Sequence, residues 1–234
     1  MHPLAEQIIA ELKVLADPEI AEGMRAYMKS NQPFYGVKAG PRRSSFKTIA
    51  KQFKMISQVE YEQIIFELWA GAYREEMYQA LEVAEHYKKY RTLASWPIYD
   101  RLVRTAPHWD TLDWIAGKIV SSLVLQHREL EANLIAWSQA DNFWVRRASL
   151  LAHLRHKEQT NTQLLADTIL ALCHESEFFI RKAIGWVLRD YSYTDPAWVS
   201  NFVAQYDDRL SGLSKREALK QINRNKESGA GRKS

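Results

Sequence analysis

The sequence predicts an all-α fold, because apolar residues recur three and four positions apart along most of its length. This spacing places apolar side chains on one face of a helix, and no segment shows the alternation expected of a strand. The clearest sets are Leu4, Ile8, Leu12 and Leu15; Phe46, Ile49, Ala50 and Phe53; and Ile64, Ile65, Leu68 and Trp69.

Prolines divide this pattern into segments at positions where proline can start or stop a helix. They occur in Asp17-Pro18, Gly40-Pro41, Trp96-Pro97, Ala106-Pro107 and Asp195-Pro196. We therefore expect roughly a dozen short helices.

An internal repeat indicates how these helices are arranged. The segment Asn142–Ala148 recurs 35 positions later as Glu177–Ala183, with three bulky residues, two cations and an alanine in matching places. Paired helices that repeat at this interval stack into a solenoid with a concave face, on which equivalent positions point the same way. Four cations would then form two rows on one surface, unless they are simply solvated on two amphipathic helices. These are Arg146 with Arg181, and Arg147 with Lys182.

Composition favours one folded body. The chain has 234 residues, of which 46% are hydrophobic, and no Gly- or Ser-rich linker interrupts it. We predict a single α-helical repeat domain over residues 1–222 and a basic, disordered C-terminal tail over 223–234. The net charge of +4 lies mostly in that tail, so bulk charge gives weak support for nucleic-acid binding unless cations gather on one face.

Other features predict a cytoplasmic protein without a membrane partner. No apolar run approaches the roughly 20 residues of a membrane helix, and the first residues lack the basic region and apolar block of a signal peptide. The single cysteine, Cys173, falls in an apolar helical run, which predicts a buried, inert thiol.

Trp109 and Asp113 are the first candidates for chemistry. Residues four apart on a helix share one face, so the indole and the carboxylate would lie side by side. An aromatic wall beside a carboxylate suits a developing cation, although a core tryptophan beside a solvated or capping aspartate has the same spacing. Arg147 and Trp186 lie on later helices.

The sequence gives only weak evidence of a metal site. His153 with His156, and Cys173 with His174, are the only hints, and neither pair has a third ligand nearby. We predict no metal site and no cofactor.

Several longer motifs together resemble the AlkD-like alkylpurine DNA glycosylases, HEAT-like helical repeat proteins of base excision repair. The resemblance runs from residue 1 to about residue 224. The motifs that carry it are Met28–Ser30, Pro33–Val37, Pro41–Arg43, Trp109-Asp110 with Asp113, Val145–Ala148, Glu177–Arg189 and Leu213–Ala218.

The resemblance implies a HEAT-like solenoid with a concave, positively charged DNA-binding face. By position it implies that Asp113 is the catalytic carboxylate, that Trp109 and Trp186 form an aromatic cleft beside the damaged nucleotide, and that Arg147 grips the backbone near the lesion. His108 stands where another aromatic residue is expected, and Lys38 where a neutral polar one is expected. The full set of expected duplex contacts is Tyr27, Lys38, Arg42, Arg43, Arg147, Lys182, Arg189, Lys215 and Arg216.

The implied activity is hydrolysis of the N-glycosidic bond of cationic N3- or N7-alkylated purines, such as 3-methyladenine and 7-methylguanine, in duplex DNA. The family resemblance also implies that the base is not flipped, and a monomer is the simplest expectation. Two alternatives remain: a non-catalytic helical-repeat protein that binds distorted or branched DNA, and a helical scaffold whose cations meet acidic protein partners.

Overall fold

The computed structural model describes residues 1–54 and 57–230, and within these ranges it contains helices and no strand. The predicted all-α class is therefore confirmed. The α-helices before residue 106 are α1 (Pro3–Val14), α2 (Pro18–Met28), α3 (Ala39–Ala50), α4 (Gln58–Trp69), α5 (Arg74–His86) and α6 (Trp96–Thr105). Those after it are α7 (Trp109–Trp114), α8 (Ser121–Gln126), α9 (Glu131–Ser138), α10 (Phe143–Leu151), α11 (Thr162–Leu172), α12 (Phe178–Tyr191), α13 (Pro196–Gln205) and α14 (Gly212–Ala230).

The chain divides into two compact units. The first ends at Ile98 and the second begins at Tyr99, so the boundary falls inside α6 and not at a linker. That residues 1–222 act as a single domain stays a prediction.

The proline positions predict the helix ends correctly. Pro18 and Pro196 each occupy the first position of a helix, and the preceding aspartates, Asp17 and Asp195, accept hydrogen bonds from backbone N–H groups of the first turn. Such caps satisfy donors that have no partner inside the helix. Pro107 follows the end of α6, in agreement with its predicted role as a stop.

The predicted apolar faces form the core of the first unit. Leu4, Ile8 and Leu12 of α1 are buried, as are the predicted residues of α3 and α4. Leu15 and Phe53 are only partly buried, because α1 ends at Val14 and α3 at Ala50, before the predicted pattern does.

The Pro33–Val37 motif has a structural explanation. The buried carboxylate of Glu75 accepts hydrogen bonds from the backbone N–H groups of Tyr35, Gly36 and Val37, at 2.9 to 3.1 Å. Gly36 has a φ of 85°, and a Cβ there would lie 2.0 Å from the carbonyl oxygen of Asp17. The motif therefore packs a tight loop against α2 and α5.

In the second unit, α12 and α14 pack closely at Gly185. A Cβ on Gly185 would lie 2.5 Å from Cβ of Glu217 and 2.9 Å from the carbonyl oxygen of Ser214. Two of the motifs that carry the family resemblance, Glu177–Arg189 and Leu213–Ala218, meet at this contact.

We expect Gly185→Ala to lower the free energy of unfolding by about 1 to 3 kcal/mol, the usual effect of overpacking a well-filled interior. Urea unfolding measures it. Gly23→Ala is the control, because Gly23 lies in α2 with nothing within 4 Å of its added Cβ. That change should stabilise the protein by about 0.4 to 1 kcal/mol. Equal effects of the two changes would contradict the close contact at Gly185.

The C-terminal prediction requires a correction. The tail expected to be disordered from Asn223 is helical as far as Ala230, because it continues α14 without interruption. Ala218 and Ile222 of this helix are buried, which anchors its first half. Residues 231–234 of the predicted tail lie outside the described residues.

Two further predictions concern single features. Cys173 is buried and forms no disulfide, in agreement with an inert thiol. Within the ranges that the structure describes, no helix combines the length and the apolar character needed to cross a membrane.

Candidate active site

Trp109 and Asp113 lie one turn apart in α7, as their spacing predicts. His108 precedes the helix, and a π-helical segment, Ile115–Val120, follows it directly and leads into α8. Single-turn π segments inside helices occur frequently at functional sites. The candidate carboxylate therefore lies on an irregular helix, just before the irregularity.

Asp113 forms a two-point ion pair with Arg147 of α10. Nε of Arg147 donates to Oδ1 at 2.8 Å and Nη2 donates to Oδ2 at 2.8 Å, while Nη1 donates to the carbonyl oxygen of Phe179. The exposed fractions of the Arg147 and Asp113 side chains are 4% and 16%. This parallel, charge-assisted geometry fixes the orientation of both groups.

Burial and the ion pair act on the pKa of Asp113 in opposite directions. Desolvation raises it, the hydrogen bonds and charge of Arg147 lower it, and the balance leaves it above the ordinary value for aspartate. The carboxylate is thus a poorly solvated anion held by one arginine, which is the condition in which a charge acts most strongly on its neighbours.

This pairing bears on the expected role of Arg147. Each of its three guanidinium nitrogens donates to a protein oxygen, and the side chain is almost fully buried. These bonds use three of its five N–H groups, and an exposed fraction of only 4% leaves a phosphate little access to the other two. The geometry favours a positioning role for Arg147 over the expected grip on the DNA backbone.

An aromatic cluster lies beside Arg147 of the ion pair. It consists of adjacent pairs at the starts of α7, α10 and α12, namely His108 with Trp109, Phe143 with Trp144, and Phe178 with Phe179. The rings of His108 and Trp144 are 5.5 Å apart, and those of Trp144 and Phe179 are 4.9 Å apart. Arg147 lies 5.8 Å from the centre of the Phe179 ring. The imidazole of His108 thus occupies the place in this cluster where an aromatic residue is expected.

Trp186 lies on the same helix as Phe179. The two are seven residues apart, which places them on one side of α12 and about 10 Å apart along its axis. Lys182 and Arg189 share that side, because the spacing from Phe179 onward is three, four and three. One face of α12 therefore carries two aromatic residues and two cations.

Both cations on this face contact one carboxylate. Nζ of Lys182 donates to Oε1 of Glu217 at 2.7 Å, and Nη1 of Arg189 donates to Oε2 of the same residue. Lys182 and Arg189 were expected to contact DNA. Because both are paired with Glu217, this carboxylate changes how strongly they can bind phosphate.

Sequence reasoning missed Glu217, although the repeat could have found it. Asp113, Arg147, Lys182 and Glu217 follow one another at intervals of 34, 35 and 35 residues. The row begins and ends with an acid and has two cations between, and each acid contacts the neighbouring cation. Extending the repeat in both directions would have identified both pairs.

The predicted second row is also internally paired. Arg146 makes a two-point ion pair with Glu175, at 2.7 and 2.8 Å, and donates to two backbone carbonyl oxygens. Arg181 donates through Nε to the carbonyl oxygen of Glu175. Through Glu175, these arginines connect α10 and α12 to the loop between α11 and α12, and Arg146 also contacts the loop between α9 and α10.

The remaining expected duplex contacts differ in accessibility. In the first unit, Arg42 is buried over the ring of Tyr78 and Arg43 pairs with Glu82 at 3.1 Å, whereas Tyr27 and Lys38 are exposed. In the second unit, Lys215 pairs with Asp207 at 2.7 Å and Arg216 is exposed. A positively charged concave face stays a prediction.

The first of the two weak metal hints, His153 with His156, lies in the core. His153 and His156 are buried with ring centres 6.2 Å apart, and Nε2 of His156 lies 2.8 Å from the carbonyl oxygen of Ser121. Burial lowers the pKa of His153 to about 3, so its ring is neutral. Within the described part of the chain, no three His, Cys, Asp or Glu residues are grouped as a metal site.

The fold and the site define an all-α protein in which a largely buried carboxylate is held by an arginine that contacts an aromatic cluster. The family described as "DNA alkylation repair enzyme" matches residues 8–222, and the chain belongs to this family. Its membership implies DNA as the substrate.

A solved structure supports the same family. The chain is similar to a "Predicted DNA alkylation repair enzyme from Enterococcus faecalis", with 33% identity and a TM-score of 0.80. The match covers 88% of this chain and 95% of the other. Comparison with curated proteins gave no match.

Proposed function

We propose that the protein is a DNA glycosylase that hydrolyses the N-glycosidic bond of cationic N3- or N7-alkylated purines in duplex DNA. The observation that carries the proposal is the largely buried Asp113 carboxylate, held by Arg147, which contacts the aromatic cluster at Phe179. Family membership supplies the substrate class, and the geometry supports a way of breaking the bond.

The chemistry needs little acid catalysis. Alkylation at N3 or N7 makes the purine cationic, so the electrons of the breaking C1′–N bond can go to the base and leave it neutral. Positive charge then develops on the deoxyribose, as in the oxocarbenium-like transition state of glycoside hydrolysis, and water adds to C1′ and releases a proton to solvent. A fixed carboxylate stabilises that charge, and Asp113 would also orient the water.

Arg147 would act through Asp113 and not on the substrate. Because both oxygens of the carboxylate accept from one guanidinium, Asp113 is held in a single orientation before DNA binds. Such preorganisation avoids rearrangement of dipoles during the reaction. The pair therefore supports a rigid anion, whose remaining lone pairs are available to sugar or water.

Trp109 and Trp186 would contact the damaged nucleotide. Indole faces attract cations and electron-poor C–H groups, with a contribution of about 0.5 to 2 kcal/mol depending on desolvation. Such contacts favour a cationic lesion over a neutral purine. Since a sugar can be approached from outside the stack, the reaction would not require the base to be flipped.

We expect eight side chains, seven of them cationic, to contact the duplex. If about six phosphates are contacted, log K should fall with log salt with a slope on the order of −5. Lys182, Arg189, Lys215 and Arg216 of the second unit are our candidates, together with Tyr27, Lys38, Arg42 and Arg43 of the first.

Base release from duplex DNA that contains 7-methylguanine or 3-methyladenine tests the proposal under single-turnover conditions. We expect the wild-type protein to release the free base and leave an abasic site. Intact duplex binding without release of either base would contradict the glycosylase and support the non-catalytic DNA-binding protein instead.

A further inference from the structure

Glu217 contacts the two cations that precede and follow Trp186 on one side of α12. Lys182 precedes Trp186 by four residues and Arg189 follows it by three, so the two cations flank the indole on one side of α12. Glu217 of α14 accepts a hydrogen bond from each cation. Lys182 and Arg189 are the two cations nearest in sequence to Trp186, which we expect to contact the lesion. They therefore share the single carboxylate of Glu217.

The three side chains differ in exposure. Those of Lys182 and Arg189 are 39% and 27% exposed, whereas that of Glu217 is 16% exposed. A phosphate that approaches from solvent would meet the cations first, with the carboxylate behind them. The group presents a net charge of +1 where the cations alone would present +2.

The carboxylate is held in this place. Gly185 allows α12 and α14 to approach so closely that a Cβ there would lie 2.5 Å from Cβ of Glu217. The hydrogen bond from Lys182, and the charges of Lys182, Arg189 and Lys220, lower the pKa of Glu217. The negative charge therefore persists at neutral pH.

We propose that Glu217 lowers the affinity of the protein for undamaged duplex DNA, by competing with backbone phosphates for Lys182 and Arg189. This inference rests on the proposed function, because it concerns how the same surface binds DNA. Phosphate contacts carry no sequence information, so the competition acts on every duplex alike. Contacts made only at a lesion then account for a larger share of productive binding.

The two acids of the repeat row act in different ways. Asp113 is paired with one buried arginine, and burial raises its pKa, whereas Glu217 is shared by two partly exposed cations that lower its pKa. The first arrangement suits a group that acts on the substrate. The second suits a group that weakens the attraction between the protein and a polyanion.

Glu217→Gln tests the inference, because it removes the charge and keeps the shape. We expect undamaged duplex to bind about two- to fivefold more tightly, since a partly exposed ion pair of this kind contributes little more than that. The slope of log K against log salt should steepen by about one unit for each phosphate newly neutralised. Fluorescence anisotropy with a labelled undamaged duplex, from about 50 to about 200 mM salt, measures both quantities.

Asp167→Asn is the matched control. Asp167 is exposed on α11 and accepts a hydrogen bond from Gln163, so its loss changes the net charge equally and releases no cation. We expect it to leave the salt slope unchanged. In a Lys182→Met background, Glu217→Gln should gain less affinity than it does in the wild type, because one of the competed cations is absent.

Two outcomes separate this inference from the proposed function. Unchanged or weaker duplex binding by folded Glu217→Gln would overturn the inference, even if the wild type releases alkylated bases. Tighter binding by Glu217→Gln, together with no base release by the wild type, would uphold the inference and overturn the glycosylase.

Discussion

Asp113→Asn is expected to lower single-turnover release of 7-methylguanine by on the order of 10² to 10³, the usual effect of losing one preorganised electrostatic group. The asparagine keeps the size of the side chain but cannot balance the positive charge that develops on the sugar. Duplex affinity should not fall, because the change removes a negative charge and no phosphate contact. Quench-flow release of the base and anisotropy titration of the same duplex measure the two quantities.

Loss of the ion pair could by itself disturb the site, so the comparison needs a control with the same geometry. Glu175→Gln breaks the two-point pair of Glu175 with Arg146, whose distances of 2.7 and 2.8 Å match those of the Asp113 pair. Its side chain is 12% exposed, close to the 16% of Asp113. We expect Glu175→Gln to lower stability and to change the rate constant of release little. Equal losses of rate in the two variants would remove the assigned role of Asp113.

The sequence predicts the helices well because their signals are local. Apolar residues at three- and four-residue intervals identify the buried faces, and prolines after capping aspartates identify the starts of α2 and α13. Where the chain lacks such a signal the prediction fails. No proline or glycine stops α14 at Asn223, and polar composition alone suggested a disordered tail there.

The candidate site is only partly predictable, because its main contacts join residues far apart in the sequence. Spacing within α7 places Trp109 and Asp113 on one helix, but nothing local shows that Arg147 contacts Asp113. The repeat did contain part of this information, since Asp113, Arg147, Lys182 and Glu217 recur at nearly constant intervals. Reading only two copies of the repeat suggested free cations where the structure has ion pairs.

Arg147→Met is expected to lower the free energy of unfolding at neutral pH by about 3 kcal/mol, because it leaves the largely buried carboxylate of Asp113 without its partner. Without the charge and hydrogen bonds of Arg147, the pKa of Asp113 should rise further. A group whose pKa is raised by folding loses its contribution to stability as the pH rises through that value. The loss of stability in Arg147→Met, relative to the wild type, should therefore be largest at neutral pH and should become smaller as the pH falls.

The same change should alter the pH dependence of base release. Base release requires ionised Asp113, so the rate of release rises with pH through the pKa of that carboxyl. In Arg147→Met this rise should move to higher pH. Arg146→Met, which removes the neighbouring cation paired with Glu175, should leave the profile in place.

The salt dependence of binding separates the two roles open to Arg147. If Arg147 holds Asp113, as the geometry favours, the slope of log K against log salt should be unchanged in Arg147→Met. If Arg147 binds a phosphate instead, the slope should flatten by about one unit. A flattened slope with an unmoved pH profile would contradict the positioning role. An unmoved slope with a shifted profile would mean that this buried arginine acts on DNA only through the carboxylate that it holds.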